Sequence, residues 1–354
     1  GNVERLSIIL TLIKESQMFQ NQTNLPLPLA VWLATDEYQY AKYANEISTT
    51  TLLKSPRYII GSRRAMYPEQ FPEELRPEPT TEIIIPDIQE KIASRMGTAM
   101  HSSLEHAWTH NYAEAMRSLG IHQNTIDKIV INPETVNKDQ IPVYLEQRAY
   151  RELEGFTISG QFDIIVDGEL HDLKTTSTYS WTSGCNDEKY IMQGSIYRWL
   201  NPELITADTI TINFIFTDWR KLDSITNPNY PPAKCFFKQY KLWSLADTEA
   251  WLRNKLKTLH KYWNSPLEQI PCCTEKDLFS KASTFKYFKT GYEEGKRATK
   301  NFDTMNEALA FRAKNGYQGD VIEFKPEPFM CPYCNPAEVA QLSTTSHTKT
   351  LGIV

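Results

Sequence analysis

The chain has 354 residues, of which 41% are hydrophobic and 23% are charged. This composition is typical of a globular protein with a sizeable core. No apolar run reaches the roughly 18 residues of a transmembrane helix, so none is expected. The formal net charge of −5 argues against nucleic-acid binding over the whole surface, although a local basic face is compatible with it.

The first residues do not resemble a signal peptide, because Glu4 and Glu15 flank only a short apolar patch. The six cysteines are unevenly spread along the chain, which favours reduced thiols over a disulfide framework. We therefore expect a cytoplasmic protein without a membrane anchor.

Residues 1–85 are predicted to form a helical and partly irregular lobe that ends in a proline-rich connector. The stretch from Ile47 to Arg57 places Ser and Thr residues before Leu52 and Leu53, a pattern that predicts a helix N-cap. Arg57 is a candidate for contact with a phosphate group. A solvated basic face explains the same residue equally well.

A long helix is predicted from about Asp87 to Leu119. Gly97 and His101 are four residues apart, so they lie on one face of this helix. His101 is our first candidate for a metal ligand, because the small residues that begin at Gly97 permit close packing against a sheet. His106 and His110 form a rival pair with the same spacing.

The stretch from Val143 to Tyr150 alternates between apolar and polar residues and predicts one strand. Glu146 and Arg148 fall on the same face of that strand. Glu146 is a candidate for the active site, with an ion pair to Arg148 as the alternative.

The stretch from Ile158 to Thr176 predicts a β-hairpin. Asp167-Gly168 separates two apolar runs and favours a two-residue turn of type I′. In the resulting register Asp163 faces Asp172, and Lys174 shares their face of the sheet. Two opposed carboxylates repel each other, and Mg²⁺ is commonly held by one or two carboxylates. The hairpin therefore predicts a magnesium site, with a salt-bridged surface face as the alternative.

The elements after the hairpin are a helix from Asn186 to Leu200, two strands and a second helix. On the first helix Gln193 and Tyr197 are four residues apart and share one face. The amide and the phenol can position a substrate through hydrogen bonds without adding charge. The strands are predicted at 209–216 and 235–243, and the second helix at 245–263.

Residues 266–354 are predicted to form a C-terminal extension that ends in a mobile tail from Ala337. Between Phe279 and Phe302 basic residues alternate with aromatic ones, a pattern that suits a path for single-stranded nucleic acid or a plain pair of strands. The basic candidates are Lys286, Lys289, Lys296 and Arg297. Cys331 and Cys334, with Cys272 or Cys273, are candidate ligands for Zn²⁺ or an iron–sulfur cluster.

Taken in order, Gly97-x-x-x-His101, Glu146, Asp163, Asp172-Leu173-Lys174 and Gln193-x-x-x-Tyr197 form a set that resembles the PD-(D/E)XK nuclease superfamily. The match is to its RecB-like exonuclease branch, including bacteriophage members. The resemblance implies an α/β fold with a restriction-endonuclease-like core over residues 86–265. In that core a central mixed β-sheet is flanked by helices.

The resemblance also implies roles for the residues of the site. Mg²⁺, for which Mn²⁺ substitutes, would be held by His101, Asp163, Asp172 and the carbonyl of Leu173. Lys174 would orient the attacking water. Glu146 would lie near the metal, while Gln193 and Tyr197 would position the DNA strand. Arg148 is a separate candidate for contact with DNA.

The implied activity is metal-dependent hydrolysis of DNA, most simply as an exonuclease at DNA ends in recombination, repair or phage DNA processing. Partners would be DNA and a single-strand-binding or annealing protein, in the host cytoplasm if the chain is phage-encoded. Three alternatives stay open: an endonuclease of the same fold, a non-catalytic DNA-binding or assembly subunit, and an interaction module held together by zinc.

Overall fold

The computed structural model describes residues 19–35, 40–77, 85–271, 273–274, 277, 283–325, 333 and 349–350. The helices in these ranges are α1 (Leu27–Ala34), α2 (Thr49–Leu52), α3 (Pro56–Met66), α4 (Ile92–His106), α5 (Tyr112–Ser118), α6 (Gln123–Ile126), α7 (Thr178–Ser183), α8 (Asp187–Leu200), α9 (Lys221–Thr226), α10 (Leu245–Tyr262) and α11 (Met305–Lys314). The strands are β1 (Glu46–Ser48), β2 (Ile129–Ile131), β3 (Ile141–Leu145), β4 (Arg148–Leu153), β5 (Phe156–Gln161), β6 (Ile164–Val166), β7 (Glu169–Thr176), β8 (Thr209–Phe216), β9 (Cys235–Lys241), β10 (Thr284–Phe288), β11 (Lys300–Phe302), β12 (Asp320–Phe324) and β13 (Lys349–Thr350).

The central sheet has six strands in the order β2-β3-β6-β7-β8-β9. The β2–β3 and β7–β8 pairs are parallel, and the other neighbours are antiparallel. Parallel neighbours need a crossover connection, and α7 and α8 provide it between β7 and β8. The predicted mixed sheet flanked by helices is confirmed.

Helices cover both faces of this sheet. On one face Tyr190 and Tyr197 of α8 pack with inward-facing strand residues such as Ile165 and Phe214. The opposite face packs strand residues against the long helix, which has a π-turn at Ala107–Asn111 between α4 and α5.

The predicted hairpin turn is present between β6 and β7. Asp167 and Gly168 have φ values of 48° and 82°, as a type I′ turn requires. The register pairs Val166 with Glu169, and Ile164 with His171, as the sequence predicted. The ladder ends at Ile164 and His171, so the predicted pair of Asp163 and Asp172 lies one position beyond it.

Two predictions about strands were wrong. The single strand from Val143 to Tyr150 is divided into β3 and β4, which belong to different sheets. The first run of the hairpin is divided in the same way, because β5 pairs with β4 while β6 pairs with β3. The sequence has no Gly or Pro at 146–147 or at 162–163, which is why the pattern alone did not reveal the breaks. Glu146 lies at the first break with φ 47°, a left-handed conformation that no regular strand contains.

The smaller sheet has the order β1-β5-β4. Its strands β4 and β5 lie in the sequence between β3 and β6 of the central sheet. Its apolar side packs with α3, α8 and α10 around Ile158, Ile60 and Leu256. Gly160 of β5 permits this close packing, because a Cβ there would lie 2.6 Å from Thr49 Oγ1 and 2.9 Å from the Tyr197 ring. Any side chain at residue 160 would therefore push α8 away from the strands.

A third sheet, β11-β10-β12-β13, is built from the C-terminal part of the chain. Its short strand β13 pairs with β12 through Thr350 and Lys349, so these two residues of the predicted mobile tail lie in a sheet. The rest of that tail lies outside the described residues. The predicted divisions near residues 85 and 265 stay predictions. Within the described ranges, no helix combines the length and the apolar character needed to cross a lipid bilayer.

Candidate metal centre

Three side chains from separate parts of the fold meet beside the hairpin. His101 comes from α4, Glu146 from the break between β3 and β4, and Asp163 from the residue before β6. His101 Nδ1 lies 3.2 Å from Glu146 Oε1 and 3.1 Å from Asp163 Oδ1. In the part of the chain that the structure describes, this is the one group of three or more such side chains with donor atoms within 4.8 Å of one another.

The backbone fixes two of these three residues. The amide of Glu146 donates to the carbonyl of Asp163 over 3.0 Å, which joins the two breaks in the strands. The amide of Leu173 donates to Asp163 Oδ2 over 2.7 Å and leaves Oδ1 to face His101. Asp163 is only 7% exposed, so its orientation is set by the fold.

The cluster holds a positive charge on His101. Hydrogen bonds to Asp163 and then to Glu146 raise the pKa of His101 to about 10, although burial opposes the shift. The imidazolium therefore lies between two carboxylates in the position where a cation would bind.

Asp172 and Lys174 form an ion pair next to this cluster. Asp172 is 2% exposed, and the Lys174 Nζ atom lies 2.7 Å from its Oδ2 atom. Burial raises the pKa of Asp172 to about 6, with Lys174 opposing the shift and Asp163 adding to it. Burial lowers the pKa of Lys174, but Asp172 and Asp163 outweigh it and hold the pKa above its ordinary value.

Gln193 and Tyr197 lie on the face of α8 that packs against the sheet. Gln193 Nε2 donates to the Tyr197 hydroxyl over 2.8 Å. Burial raises the pKa of Tyr197 far above its ordinary value, and the charges of Asp172 and Asp163 add to this shift. The phenol of Tyr197 is therefore a neutral group close to Asp172 and Asp163.

Sequence reasoning missed Gln161, the last residue of β5. Gln161 Nε2 donates to Glu146 Oε2 over 2.7 Å, and its Oε1 accepts a 3.5 Å hydrogen bond from Arg148 Nη2. The predicted alternative of a Glu146–Arg148 ion pair is replaced by this bridge, because Gln161 stands between them. Only the β4–β5 register, which pairs Arg148 with Gln161, could have revealed it.

A cavity of about 210 Å³ lies between the smaller sheet and α3. Two arginines, Arg63 and Arg148, line it together with hydroxyl groups such as those of Ser48 and Ser159, and Glu46 is the one carboxylate in its lining. Arg63 is 6% exposed, and its buried Nε atom has no hydrogen-bond partner among the described residues. Two guanidinium groups against one carboxylate make the lining positively charged, so this cavity suits an anionic group.

Other predicted residues lie elsewhere. Arg57 is 4% exposed and donates to the carbonyl of Ile270, so it serves the core and not a phosphate contact. The role given to Gly97 also needs correction, because a Cβ at this position would meet no described residue within 4 Å. The rings of His106 and His110 stack 4.3 Å apart, but no third donor joins them in the described ranges.

The C-terminal candidates are distributed over the third sheet and beyond the described residues. Lys286 Nζ lies over the Phe324 ring at 4.1 Å, and Lys296 pairs with Glu293 at 3.7 Å. Lys289 and Arg297 lie in the connection between β10 and β11. Cys273 is buried, with its thiol 2.9 Å from Ser55 Oγ, whereas Cys272, Cys331 and Cys334 lie outside the described residues.

The donor set of His101, Glu146 and Asp163 fits a divalent cation. Two carboxylates and one imidazole are ligands that Mn²⁺ accepts, and Mg²⁺ is often bound through one or two carboxylates. Both carboxylates lie within 3.2 Å of the His101 Nδ1 atom, so their negative charges favour a cation at this position. A cation bound there would replace the proton on His101.

No model of a known protein family matches the chain, and no curated protein matches it. Solved structures with limited similarity to it include the following two. The crystal structure of SSO0001 is 17% identical, with a TM-score of 0.35, over 64% of this chain and 81% of that one. A phage-related exonuclease from Haemophilus somnus 129PT is 13% identical, with a TM-score of 0.24, over 62% of this chain and 97% of that one.

Proposed function

We propose that the protein is a metal-dependent deoxyribonuclease that hydrolyses phosphodiester bonds and acts as an exonuclease on DNA ends. The observation that carries the proposal is the meeting of His101, Glu146 and Asp163 within 4.8 Å beside the Asp172–Lys174 pair. These are the residues that the resemblance to RecB-like nucleases marks in the sequence, and they come from distant positions in the chain.

The proposed roles follow from the contacts of each residue. His101, Glu146 and Asp163 hold the cation, and Asp172 and the carbonyl of Leu173 complete its surroundings. A divalent cation supplies a water of lowered pKa and stabilises negative charge on a phosphoryl group. Lys174 keeps its proton because Asp172 and Asp163 raise its pKa, so it offsets charge on the phosphate and orients the attacking water.

Two features support a substrate that carries phosphate groups. Arg63 and Arg148 line the cavity beside the smaller sheet, and arginine donors match phosphate oxygens well. The second feature is Lys174, which keeps its positive charge beside the candidate metal ligands and can offset the charge of a phosphate group.

The exonuclease part of the proposal rests on the RecB-like resemblance. The mildly acidic chain has a net charge of −5, which favours a local, salt-sensitive hold on DNA over tight binding to long duplexes. The basic and aromatic residues around β10 and β11 would guide a single strand. A single-strand-binding or annealing protein would be the partner that takes up the strand that remains.

The test compares end-labelled linear DNA with covalently closed circular DNA over time, with Mg²⁺ or with EDTA. We expect short products from the linear ends, no cutting of the circle and no activity in EDTA. Asp163→Asn should be inactive. Its matched control is Glu169→Gln, which changes a carboxylate that bonds Thr211 and Gln239 and is not in the cluster.

Rapid linearisation of the circle would identify an endonuclease. Cleavage that persists in EDTA or in Asp163→Asn would remove the proposed metal centre. Specific DNA binding without any cleavage would identify a non-catalytic DNA-binding subunit.

A further inference from the structure

Gln161 connects a candidate metal ligand to an arginine of the neighbouring cavity. Its side-chain amide donates to Glu146 Oε2 over 2.7 Å, and its carbonyl oxygen faces Arg148 Nη2 at 3.5 Å. Glu146 then has its other oxygen, Oε1, 3.2 Å from His101. Each end of the amide faces the group of suitable chemistry, since the NH₂ meets a carboxylate and the oxygen meets a cation.

We propose that Gln161 is a positioning residue, which turns the Glu146 carboxylate toward the cation site and thereby raises the affinity of the site for a divalent metal. The inference rests on the metal centre of the proposed function. It does not require that the protein cleave DNA.

The local backbone explains why Glu146 needs such a partner. Glu146 lies in the break between β3 and β4 with φ 47°, so no regular strand geometry fixes its side chain. The His101 contact reaches only one of its two carboxylate oxygens. Without the bond to Gln161, the carboxylate could rotate away from the cation, and binding would have to order it again at an entropic cost.

Gln161 itself is held by the smaller sheet. It pairs with Arg148 in the β4–β5 register, one position after Gly160, where α8 and α2 pack closely. The bridge is therefore preorganised before any metal arrives. Partners of this kind around metal ligands typically change metal affinity by about 10- to 100-fold.

The test measures Mn²⁺ binding by titration calorimetry on the full chain without DNA. We expect Gln161→Met, which keeps the length of the side chain but loses the amide, to weaken Mn²⁺ binding about tenfold or more. Gln161→Asn keeps the polarity but is one methylene too short for the 2.7 Å contact, and should show a similar loss if Gln161→Met folds poorly. The matched control is Gln239→Met, which removes an amide–carboxylate bond to Glu169, and it should bind Mn²⁺ as the wild type does.

The effect must also run through Glu146. In a Glu146→Gln background, Gln161→Met should change Mn²⁺ affinity by less than about twofold, because the carboxylate to be positioned is gone. An unchanged affinity in both Gln161 variants would overturn the proposal, and so would an equal loss in the Glu146→Gln background. Asp163→Asn distinguishes failure of the metal centre from failure of the positioning role. Normal Mn²⁺ binding by Asp163→Asn would show that the metal centre is misplaced. Weaker Mn²⁺ binding by Asp163→Asn, with unchanged binding by the Gln161 variants, would reject only the positioning role.

Discussion

The Lys174 Nζ atom lies 2.7 Å from the Asp172 Oδ2 atom. The two residues share one face of β7 because they are two positions apart, and Asp172 is only 2% exposed. Buried pairs of this kind are destabilised strongly when one partner is removed, because the other charge is left in the interior. The pair therefore matters for folding as well as for the proposed chemistry, and experiments must separate the two.

We predict that Asp172→Asn and Lys174→Met each reduce Mg²⁺-dependent DNA cleavage by about a hundredfold or more. Each single change should also lower the free energy of unfolding by about 3 kcal/mol, and the double variant should recover part of that stability without activity. Denaturant unfolding and end-labelled DNA cleavage measure the two effects. Activity within a few-fold of wild type in a folded single variant would reject the assignment.

The raised pKa of His101 predicts a pH dependence of stability for the metal-free protein. The folded value of about 10 lies above the ordinary value of 6.5, so the stabilisation is fully present below pH 6.5 and is lost as the pH rises toward 10. The pKa of Asp172 is raised from 3.8 to about 6. Its titration therefore changes the stability below about pH 6, outside the range in which His101 titrates. Unfolding measured in EDTA from pH 6 to pH 10 should show the decline.

The matched variant for this experiment is His101→Gln. It keeps a polar side chain but cannot titrate, so its stability should vary less between pH 6.5 and pH 10 than that of the wild type. A decline of the same size in both proteins would assign the pH dependence to other groups.

Mn²⁺ should stabilise the folded protein, because the three candidate ligands at 101, 146 and 163 come together only in the fold. We predict a rise in melting temperature with Mn²⁺ concentration, and no such rise in His101→Ala or Asp163→Asn. A crystal soaked in Mn²⁺ should show the His101 nitrogen about 2.0–2.3 Å from the ion. An ion in the site with His101 turned away would remove His101 from the ligands.

Gly97 and Gly160 provide a contrast between two glycines of the sequence pattern. Gly97→Ala should leave stability unchanged or raise it by up to about 1 kcal/mol, since the position is helical and a Cβ meets nothing within 4 Å. Gly160→Ala should destabilise the protein and disturb Tyr197, whose ring lies 2.9 Å from the added Cβ. Thermal unfolding of both variants measures these effects. A lower melting temperature for Gly97→Ala would support the close packing at Gly97 that the sequence predicted.

Arg57 and Arg63 lie on the same helix and provide a matched pair. Arg57→Met should lower the free energy of unfolding by about 2 kcal/mol, because the Ile270 carbonyl loses its donor, and should leave DNA affinity unchanged. Arg63→Met should instead weaken DNA binding and reduce its salt dependence. Filter binding at several salt concentrations distinguishes the two, and equal effects on DNA would contradict the placement of Arg57 in the core.

The hairpin was predictable because a local signal fixes it. Asp167-Gly168 determines the turn, the turn determines the register, and the alternation of side chains then places Asp172 and Lys174 together. The helix that carries His101 was predictable from its long polar and apolar pattern. These features depend on residues close in sequence.

The rest depends on contacts between distant residues. The division of one apparent strand at Glu146 is not visible in the sequence, because no Gly or Pro marks the break. The bridge by Gln161 follows from pairing between β4 and β5, and the burial of Arg57 follows from its contact with Ile270. An arginine in a basic stretch looks the same in sequence whether it faces solvent or a buried carbonyl.

The left-handed backbone at Glu146 has a consequence for how this protein would respond to selection. A side chain with a Cβ in that conformation is strained by about 1 kcal/mol or more, and glycine or asparagine would fit the turn better. Variants chosen only for heat resistance would therefore tend to lose the carboxylate at residue 146, whereas variants chosen for catalysis should retain it. Thermostability and activity should oppose each other at this one position more sharply than at the surrounding core residues.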